Sequence, residues 1–314
     1  MAHAIGTTGG GPMGVDLSGD RKRLRKERLI RRLFQASAVA SILISLLIVV
    51  SLLGEAVNFL RIVDITTLLD DGWFPRRNRF DVRTILAGTL LIAGIGMVVA
   101  APLGLGAAVY LSEYASPRAR RLLKPVLEIL AGIPSVVLGF FALTWISPNV
   151  VAVLCGRSTT FNMGAAGIAV GVLITPLLAS VAEDAMRAVP ASLREASYGL
   201  GARKRSVTIK VVVPAAVSGI VASFIIAASR AIGETMIVAI ASGATGGSLF
   251  SLDPCGPGQT MTAAMTALAV GSDQVRGASA AFPSLFFVGL LLFVMTLVLN
   301  VISERFVRKV RQKY

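Results

Sequence analysis

The sequence predicts an all-α, polytopic membrane protein with six transmembrane helices, and three observations support this. Hydrophobic residues make up 54% of the chain and charged residues 15%, with a mean hydropathy of +0.75, far from the usage of soluble domains. Several runs without charge are long enough to cross a hydrocarbon core, which takes about 20 helical residues. No alternation typical of strands is present, and a lipid-exposed backbone must satisfy its own hydrogen bonds, which favours a helical bundle.

The predicted spans follow from these runs. Five are free of charged residues and cover 33–54, 84–111, 129–156, 158–182 and 282–302. A sixth begins near Val211 and is interrupted only by Arg230 and Glu234. The six helices are therefore expected around residues 44, 97, 137, 172, 226 and 292. The first run follows a long polar segment and lacks a small-residue cleavage site, so it is interpreted as a retained anchor.

The distribution of basic residues predicts the topology. Most of the 31 Lys and Arg residues fall in the amino tail, the segments after helices 2 and 4, and the carboxyl tail. These segments are therefore expected on the cytoplasmic side, with both termini. We predict a disordered basic tail over 1–32, a six-helix membrane domain over 33–305 with a cytoplasmic segment at 187–214, and a basic tail over 306–314. Residues 21–32 act as a topology signal or, as the alternative, lie as an amphipathic helix on the inner leaflet.

Several classes of protein are disfavoured. The single His is His3 in the amino tail, so the sequence predicts no catalytic imidazole and no His-ligated metal site. No G-x-x-x-x-G-K-[ST] phosphate loop occurs, so ATP would have to be used by a partner. The basic residues are dispersed and lack interleaved aromatic residues, which disfavours nucleic-acid binding. No cofactor, metal or catalytic residue is predicted.

Small residues, prolines and cysteines give further expectations. The 31 glycines allow membrane helices to approach closely, which suits either a bundle that rearranges or tight static packing. Pro102 and Pro134 predict kinks or locally broken helix. Cys155 and Cys255 are expected at the outer surface, where an oxidising compartment permits a disulfide; two unpaired thiols remain the alternative.

The cytoplasmic segment "RAVPASLREASYGLGARKRSVTIKVVVP" at 187–214 is long enough for two short helices. Its residues Glu195, Ala196, Gly201 and Pro214, with two valines before the proline, resemble the E-A-A-(x3)-G-(x9)-I-x-L-P motif (EAA motif) of ABC importer permeases. Ser197 replaces the second Ala, and Val211 and Val213 replace Ile and Leu. The resemblance implies a coupling helix that docks on an ATPase subunit. Gly201 would allow the backbone to approach the ATPase partner closely. Glu195 would hold the turn of the segment or pair with a basic residue of the partner.

Four further stretches narrow the resemblance. "GWFP" at 72–75, "AGTLL" at 87–91, "LAGIPSVVLGF" at 130–140 and "SRAIGETMIV" at 229–238 together resemble the phosphate-specific permeases of the Pst system, and more closely the PstC-type subunit. This resemblance covers roughly residues 70–304. It implies an ATP-driven importer of inorganic phosphate in the cell membrane. The expected partners are a PstA-type permease, two ATPase subunits, an extracytoplasmic phosphate-binding protein and membrane lipid.

Arg230 and Glu234 are the candidate substrate-path residues. Charges inside a membrane helix are costly, are usually paired and often mark a substrate route. The resemblance implies the same, and we expect Glu234 one turn after Arg230 on one helix. Ser135, after Pro134, is a candidate hydroxyl donor near the path, with backbone bonding as the alternative. A purely structural salt pair is the alternative for Arg230 and Glu234. Glu128 and Glu183 are expected to be solvated or interfacial.

Two rival functions remain open at this stage. The substrate could be another oxyanion, such as molybdate or sulfate. The chain could instead be an ATP-independent anion channel with Arg230 in its filter. A channel would have no use for the motif between Glu195 and Pro214.

Overall fold

The computed structural model describes residues 21–69, 72–157, 159–243, 246–270 and 280–310. By its internal contacts the chain divides into residues 1–51 and residues 52–314. Within the described residues, the first unit is the amino-terminal part of helix α1 (Arg21–Ile62), and its side chains from Lys26 onward are almost all exposed. The sequence predicts a disordered tail over 1–32, but residues 21–32 are helical. Residues 1–20 lie outside the described residues.

The second unit is built almost entirely from helices. After α1 come strands β1 (Trp73–Phe74) and β2 (Arg79–Phe80), then α2 (Val82–Val109), α3 (Pro117–Ala131), α4 (Ser135–Phe141), α5 (Ala152–Cys155) and α6 (Met163–Arg187). The chain continues with α7 (Ala191–Gly199), α8 (Lys204–Val207), α9 (Val213–Ala215), α10 (Val217–Ile232), α11 (Met236–Ala241), α12 (Met261–Ala269) and α13 (Ala281–Val310). Wider π-helical turns extend α2 over Tyr110–Tyr114, join α4 to α5 over Ala142–Val151, and join α8 to α9 over Thr208–Val212.

The predicted spans are present as helices, with one change. In the described part of the chain, five helical stretches are long and apolar enough to cross a membrane: Lys26–Ile62, Val82–Tyr114, Ser135–Cys155, Met163–Arg187 and Ala281–Arg305. The span expected around residue 226 is bent by 70° between Lys204–Ala215 and Val217–Ile232. Counting this bent pair as one span gives the six that the sequence predicts.

Helices α2 and α6 form the central packing contact of the second unit, and we call this pair the α2–α6 frame. A Cβ atom added at Gly171 of α6 would lie 2.7 Å from the Cβ of Val99, and one added at Gly104 of α2 would lie 2.7 Å from Cδ2 of Leu178. These distances are too short for real side chains, so each glycine lets the opposing helix approach closely. At these positions the glycines serve tight packing. Helix α6 is the most buried of the apolar stretches and also contacts α3, α10 and α11.

The short hairpin before α2 places Trp73 of the "GWFP" stretch in the core. Trp73 and Phe80 pair across the strands, and their rings lie 5.8 Å apart in an edge-to-face arrangement. The ring centroids of Phe59 and Phe80 lie 5.1 Å apart. Asp81 then caps α2 and is fully buried. Its carboxylate is satisfied there, since it accepts from the N–H of Arg83 at 3.0 Å and the hydroxyl of Thr84 at 2.7 Å. Trp73 of this stretch is therefore a packing residue of the core.

The two prolines singled out in the sequence behave differently. Helix α2 continues through Pro102 without a break. At Pro134 the chain is locally broken, since α3 ends at Ala131 and α4 starts at Ser135 with Pro134 as its N-cap. Membrane-associated helices tolerate proline where neighbouring groups satisfy the freed carbonyls.

The loop that carries Cys255 is held against the end of α5. The sulfur atoms of Cys155 and Cys255 lie at bonding distance, with Cα atoms 6.1 Å apart. The Thr159 hydroxyl donates to the carbonyl of Cys255 at 2.6 Å. The Cys255 N–H, which donates to Oδ1 of Asp253 at 3.0 Å, lowers the pKa of that carboxyl, and the neighbouring Arg157 lowers it further.

We predict that Cys155 and Cys255 form a disulfide in the membrane-embedded protein. Protein denatured without reductant should then take up no maleimide, whereas reduced protein should take up label at both positions. The variant Cys155→Ser is the control and should be labelled at Cys255 with or without reductant. Labelling of both cysteines without reductant would show that they are free thiols.

Candidate functional site

The first candidate site is a break in the helix that carries Arg230 and Glu234. The sequence predicts one continuous helix, and this expectation is wrong: α10 ends at Ile232 and α11 starts at Met236. Glu234 lies in the break. Its Oε1 accepts from the N–H of Met236 at 3.2 Å and of Ile237 at 3.4 Å, so the carboxylate satisfies amides that begin α11.

Arg230 and Glu234 form an ion pair across this break. Nη1 of Arg230 lies 2.9 Å from Oε2 of Glu234. The Glu234 side chain is only 3% exposed and the Arg230 side chain 48% exposed. The carboxylate therefore points into the chain, and the guanidinium reaches the surface of this chain. The pair is not a symmetric buried bridge, since one charge remains accessible.

Uncharged polar side chains line the same region. The hydroxyl of Thr262 donates to the carbonyl oxygen of Glu234 at 2.7 Å, and Thr260 caps α12 through the N–H of Ala263. Gln259, 3% exposed, leaves its Oε1 without a hydrogen-bond partner within the described residues. Sequence reasoning missed these residues because hydroxyls and amides are common in membrane spans and carry no charge to distinguish them.

Ser135 begins the helix that packs on α11. The backbone at Gly139 of α4 approaches α11 closely, since a Cβ atom there would lie 3.2 Å from Cα of Ile237. Ser135 is half-buried at the first position of α4. Among the residues that the structure describes, its hydroxyl has no hydrogen-bond partner, so no hydrogen bond joins it to Arg230 or Glu234.

The second candidate site is the segment with the EAA motif, which forms two helices and a turn as expected. Glu195 and Ala196 are exposed on α7. Gly201 turns the chain with a φ of 77°, and a Cβ atom there would meet nothing within 4 Å. Leu200 beside it is 90% exposed. Pro214 lies in α9, just before the 70° bend at Ala216.

Glu183, expected to be solvated or interfacial, is buried. Its side chain is 1% exposed near the end of α6 and lies 2.6 Å from Nη2 of Arg120 and 2.9 Å from Nζ of Lys124, both on α3. The Arg120 contact is an ion pair without aligned hydrogen-bond geometry, whereas Lys124 donates directly. The pKa of Lys124 is raised, mainly by its hydrogen bond to Asp184 and also by its hydrogen bond to Glu183. Spacing alone cannot indicate this cluster, because its members are distant in sequence.

The geometry describes a helical membrane bundle with a charged helix break and a projecting polar segment. The model of one protein family, "Binding-protein-dependent transport system inner membrane component", matches residues 100–312. The chain belongs to that family. It is accordingly a transport component of the inner membrane and not an enzyme.

Curated relatives of this permease include phosphate-transport proteins. It is 30% identical over 266 residues to the phosphate transport system permease protein PstC of Haemophilus influenzae, covering 78% of this chain and 81% of the relative. It is 32% identical over 227 residues to the probable ABC transporter permease protein YqgH of Bacillus subtilis, covering 72% of each chain. A shorter match, 37% over 173 residues, covers 55% of this chain and 54% of PstA 1 of Mycobacterium tuberculosis. The resemblance to PstC-type permeases is confirmed.

Solved structures support the fold. A chain of the bacterial alginate ABC transporter, crystallised with a periplasmic protein bound to an alginate pentasaccharide, superposes with a TM-score of 0.66 at 14% identity. The superposition covers 93% of this permease and 98% of that chain. A chain of the MetNI methionine ABC transporter in an inward-facing conformation gives a TM-score of 0.52 at 22% identity, covering 72% and 92%. The identities are low, so these likenesses concern the fold alone.

We predict that Glu183→Ala destabilises the permease by about 2 kcal/mol, because Arg120 and Lys124 lose a buried anion while remaining partly solvated. Unfolding by denaturant in detergent micelles measures this change. The neighbouring Asp184→Ala is the control: its carboxylate also pairs with Lys124, but it is 62% exposed, so its loss should cost less than about 1 kcal/mol. Equal effects of the two substitutions would contradict a special role for the buried carboxylate.

Proposed function

We propose that this permease forms part of the translocation path of an ATP-driven importer of inorganic phosphate. It works with a PstA-type permease, ATPase subunits and an extracytoplasmic phosphate-binding protein. The observation that carries the proposal is the Arg230–Glu234 pair: a half-exposed guanidinium held by one nearly buried carboxylate at a break in an otherwise apolar helix. The similarity to PstC supports phosphate as the substrate.

The chemistry of the pair suits a transient oxyanion site. A guanidinium offers a planar fork of donors that matches phosphate oxygens. Within the described residues, Glu234 is its one hydrogen-bond partner. Glu234 neutralises Arg230 in the empty path, and an arriving anion competes with the Glu234 carboxylate for the guanidinium. Repulsion between that carboxylate and the anion shortens the time the anion stays.

The break itself gives this competition a mechanical consequence. Glu234 is bound to Arg230 through one oxygen and to amides of α11 through the other. When Arg230 changes its hydrogen-bond partner, the Glu234 carboxylate therefore passes the effect directly to the start of α11. Alternating access requires two arrangements of the bundle, and the non-helical residues 233–235 supply a joint at which α10 and α11 reorient.

The exposed EAA segment supports the ATPase role. Leu200 is almost wholly exposed, and the space beside Gly201 is open, as a surface awaiting a partner requires. ATP-driven closure of the ATPase subunits moves α7, and the bundle then opens to the outer side. Membership of a binding-protein-dependent transport family argues against an ATP-independent channel. Molybdate or sulfate as the substrate is the remaining alternative, and it is decided by competition.

We predict that Arg230→Gln lowers phosphate uptake by at least about tenfold, because charge-assisted hydrogen bonds to the anion are lost. Radiolabelled phosphate uptake into cells that depend on this importer measures the effect, with excess sulfate or molybdate added to test the substrate. Arg308→Gln is the matched control, since Arg308 pairs with Glu304 on an exposed surface. Uptake at the wild-type rate in Arg230→Gln would refute the path role, and strong inhibition by either competitor would refute phosphate selectivity.

We also predict that Gly201→Asn abolishes uptake while membrane insertion is retained, because any side chain there obstructs the close approach of the ATPase subunit. Asparagine tolerates a positive φ better than most residues, so backbone strain contributes little. Gly156→Asn is the control: Gly156 also has a positive φ and open surroundings, but it lies on the predicted outer side. Co-purification with the ATPase and phosphate uptake are the measurements. Wild-type co-purification and uptake for Gly201→Asn would contradict the docking role of this segment.

A further inference from the structure

Arg194 lies beside the EAA glutamate but points away from the exposed docking face. Its side chain is 20% exposed, whereas the neighbouring Glu195 is exposed. Nη1 donates to the carbonyl of Val189 at 2.6 Å, and Nη2 donates to the carbonyl of Met186 at 2.8 Å and to Oε1 of Glu113 at 3.0 Å. One guanidinium thus makes three hydrogen bonds to three different residues.

These three acceptors belong to the ends of two membrane spans. Met186 and Val189 lie at and just beyond the carboxyl end of α6, where unpaired carbonyls favour a cation. Glu113 lies in the π-helical turn Tyr110–Tyr114 that continues α2. Its side chain is 5% exposed and also accepts from the hydroxyl of Ser112 at 3.0 Å. Arg194 therefore joins α7 to both helices of the α2–α6 frame.

A second contact fastens the other half of the EAA segment to the same turn. Nζ of Lys204, beyond Gly201, lies 5.0 Å from the centroid of the Tyr114 ring, a cation–π distance. Helix α7 contributes no fully buried residue, so packing alone holds it weakly. Leu193 is partly buried against the end of α6. Helix α7 also packs against the π-helical turn Thr208–Val212. Among the described hydrogen bonds, those of Arg194 are the ones that join α7 to α6 and to the turn that continues α2.

We propose that Arg194 is a positioning residue that transmits displacement of α7 to the ends of α2 and α6 together. The inference rests on the proposed function, in which α7 is the element moved by the ATPase. Because α2 and α6 pack through glycines without room for sliding, a force applied at both ends moves them as one body. Loss of Arg194 leaves α7 able to bind the ATPase but poorly connected to the transport path.

Arginine is required here for a geometric reason. Its planar fork reaches acceptors on two sides at once, whereas a lysine ammonium is a single point of charge on a flexible stem. Arg194→Lys keeps attraction to Glu113 and loses part of the contact with the α6 carbonyls. Glu113→Gln keeps an acceptor and removes the charge. For both variants, the phosphate transported per ATP should lie between the values of the wild type and of Arg194→Gln.

The test uses the complete importer in lipid nanodiscs, with and without ATP and vanadate. Hydrogen exchange is followed in residues 191–199 and in residues 110–114. In the wild type, trapping should change exchange in both segments, and in Arg194→Gln it should change exchange in 191–199 alone. Arg187→Gln is the matched control, because Arg187 is a cation at the same end of α6 whose ion-pair partner is Glu183, and it should behave as the wild type. Persistence of the change at 110–114 in Arg194→Gln would overturn the proposal.

A second readout separates positioning from folding. In proteoliposomes, Arg194→Gln should co-purify with the ATPase and hydrolyse ATP, but phosphate transported per ATP should fall by about tenfold, within the range of coupling between sites. Arg194→Lys should restore part of this ratio. An unchanged ratio would overturn the proposal.

The failure of this inference differs from failure of the proposed function. If α7 is not the docking element, Leu200→Asp will leave the ATPase bound. If phosphate is not the substrate, the wild type will show no phosphate uptake. The exchange comparison still applies in that second case, since it needs ATP and vanadate but no phosphate.

Discussion

The close approach of α2 and α6 is the contact on which the rest of this permease depends. Two membrane helices gain no hydrophobic driving force from each other, because lipid is as apolar as their side chains, so their association depends on surfaces that fit closely. Glycines on both helices create that fit: Gly104 accepts Leu178, and Gly171 accepts Val99. The pair forms a rigid frame, and the contacts of α6 with α3, α10 and α11 place the charged sites around it.

Polar groups set the second constraint, because each one inside the bundle needs a partner. Glu234 shows how the chain meets this need: one carboxylate pairs with Arg230 and accepts from amides freed by the helix break. The hydroxyl of Thr262 satisfies the Glu234 carbonyl from a different helix. The break is therefore compatible with a low-dielectric interior, since it leaves no unpaired backbone group at these atoms.

Charges at the predicted cytoplasmic end follow the same rule at longer range. Glu183 joins α6 to α3 through Arg120 and Lys124, and Arg194 joins α7 to α2 and α6. In each cluster a nearly buried carboxylate is paired with one or two cationic side chains from another element. The face of α7 that carries Glu195 and Ala196, with Leu200 just beyond it, remains exposed. Anchoring on one face and exposure on the other suit a coupling element.

The sequence by itself determined the membrane class, the spans and the family, because these depend on composition, on the length of apolar runs and on motif spacing. The Arg230–Glu234 pair and the turn at Gly201 were also accessible, since charges in apolar runs and glycine after a helix are local signals. Tertiary structure decided the break at 233–235, which hydropathy does not register because the residues on both sides of the break are mostly apolar. It also decided the burial of Glu183 and the contact of Arg194 with Glu113. Those pairs join residues 59 to 81 positions apart, and only packing of α3 and α7 against α2 and α6 brings them together.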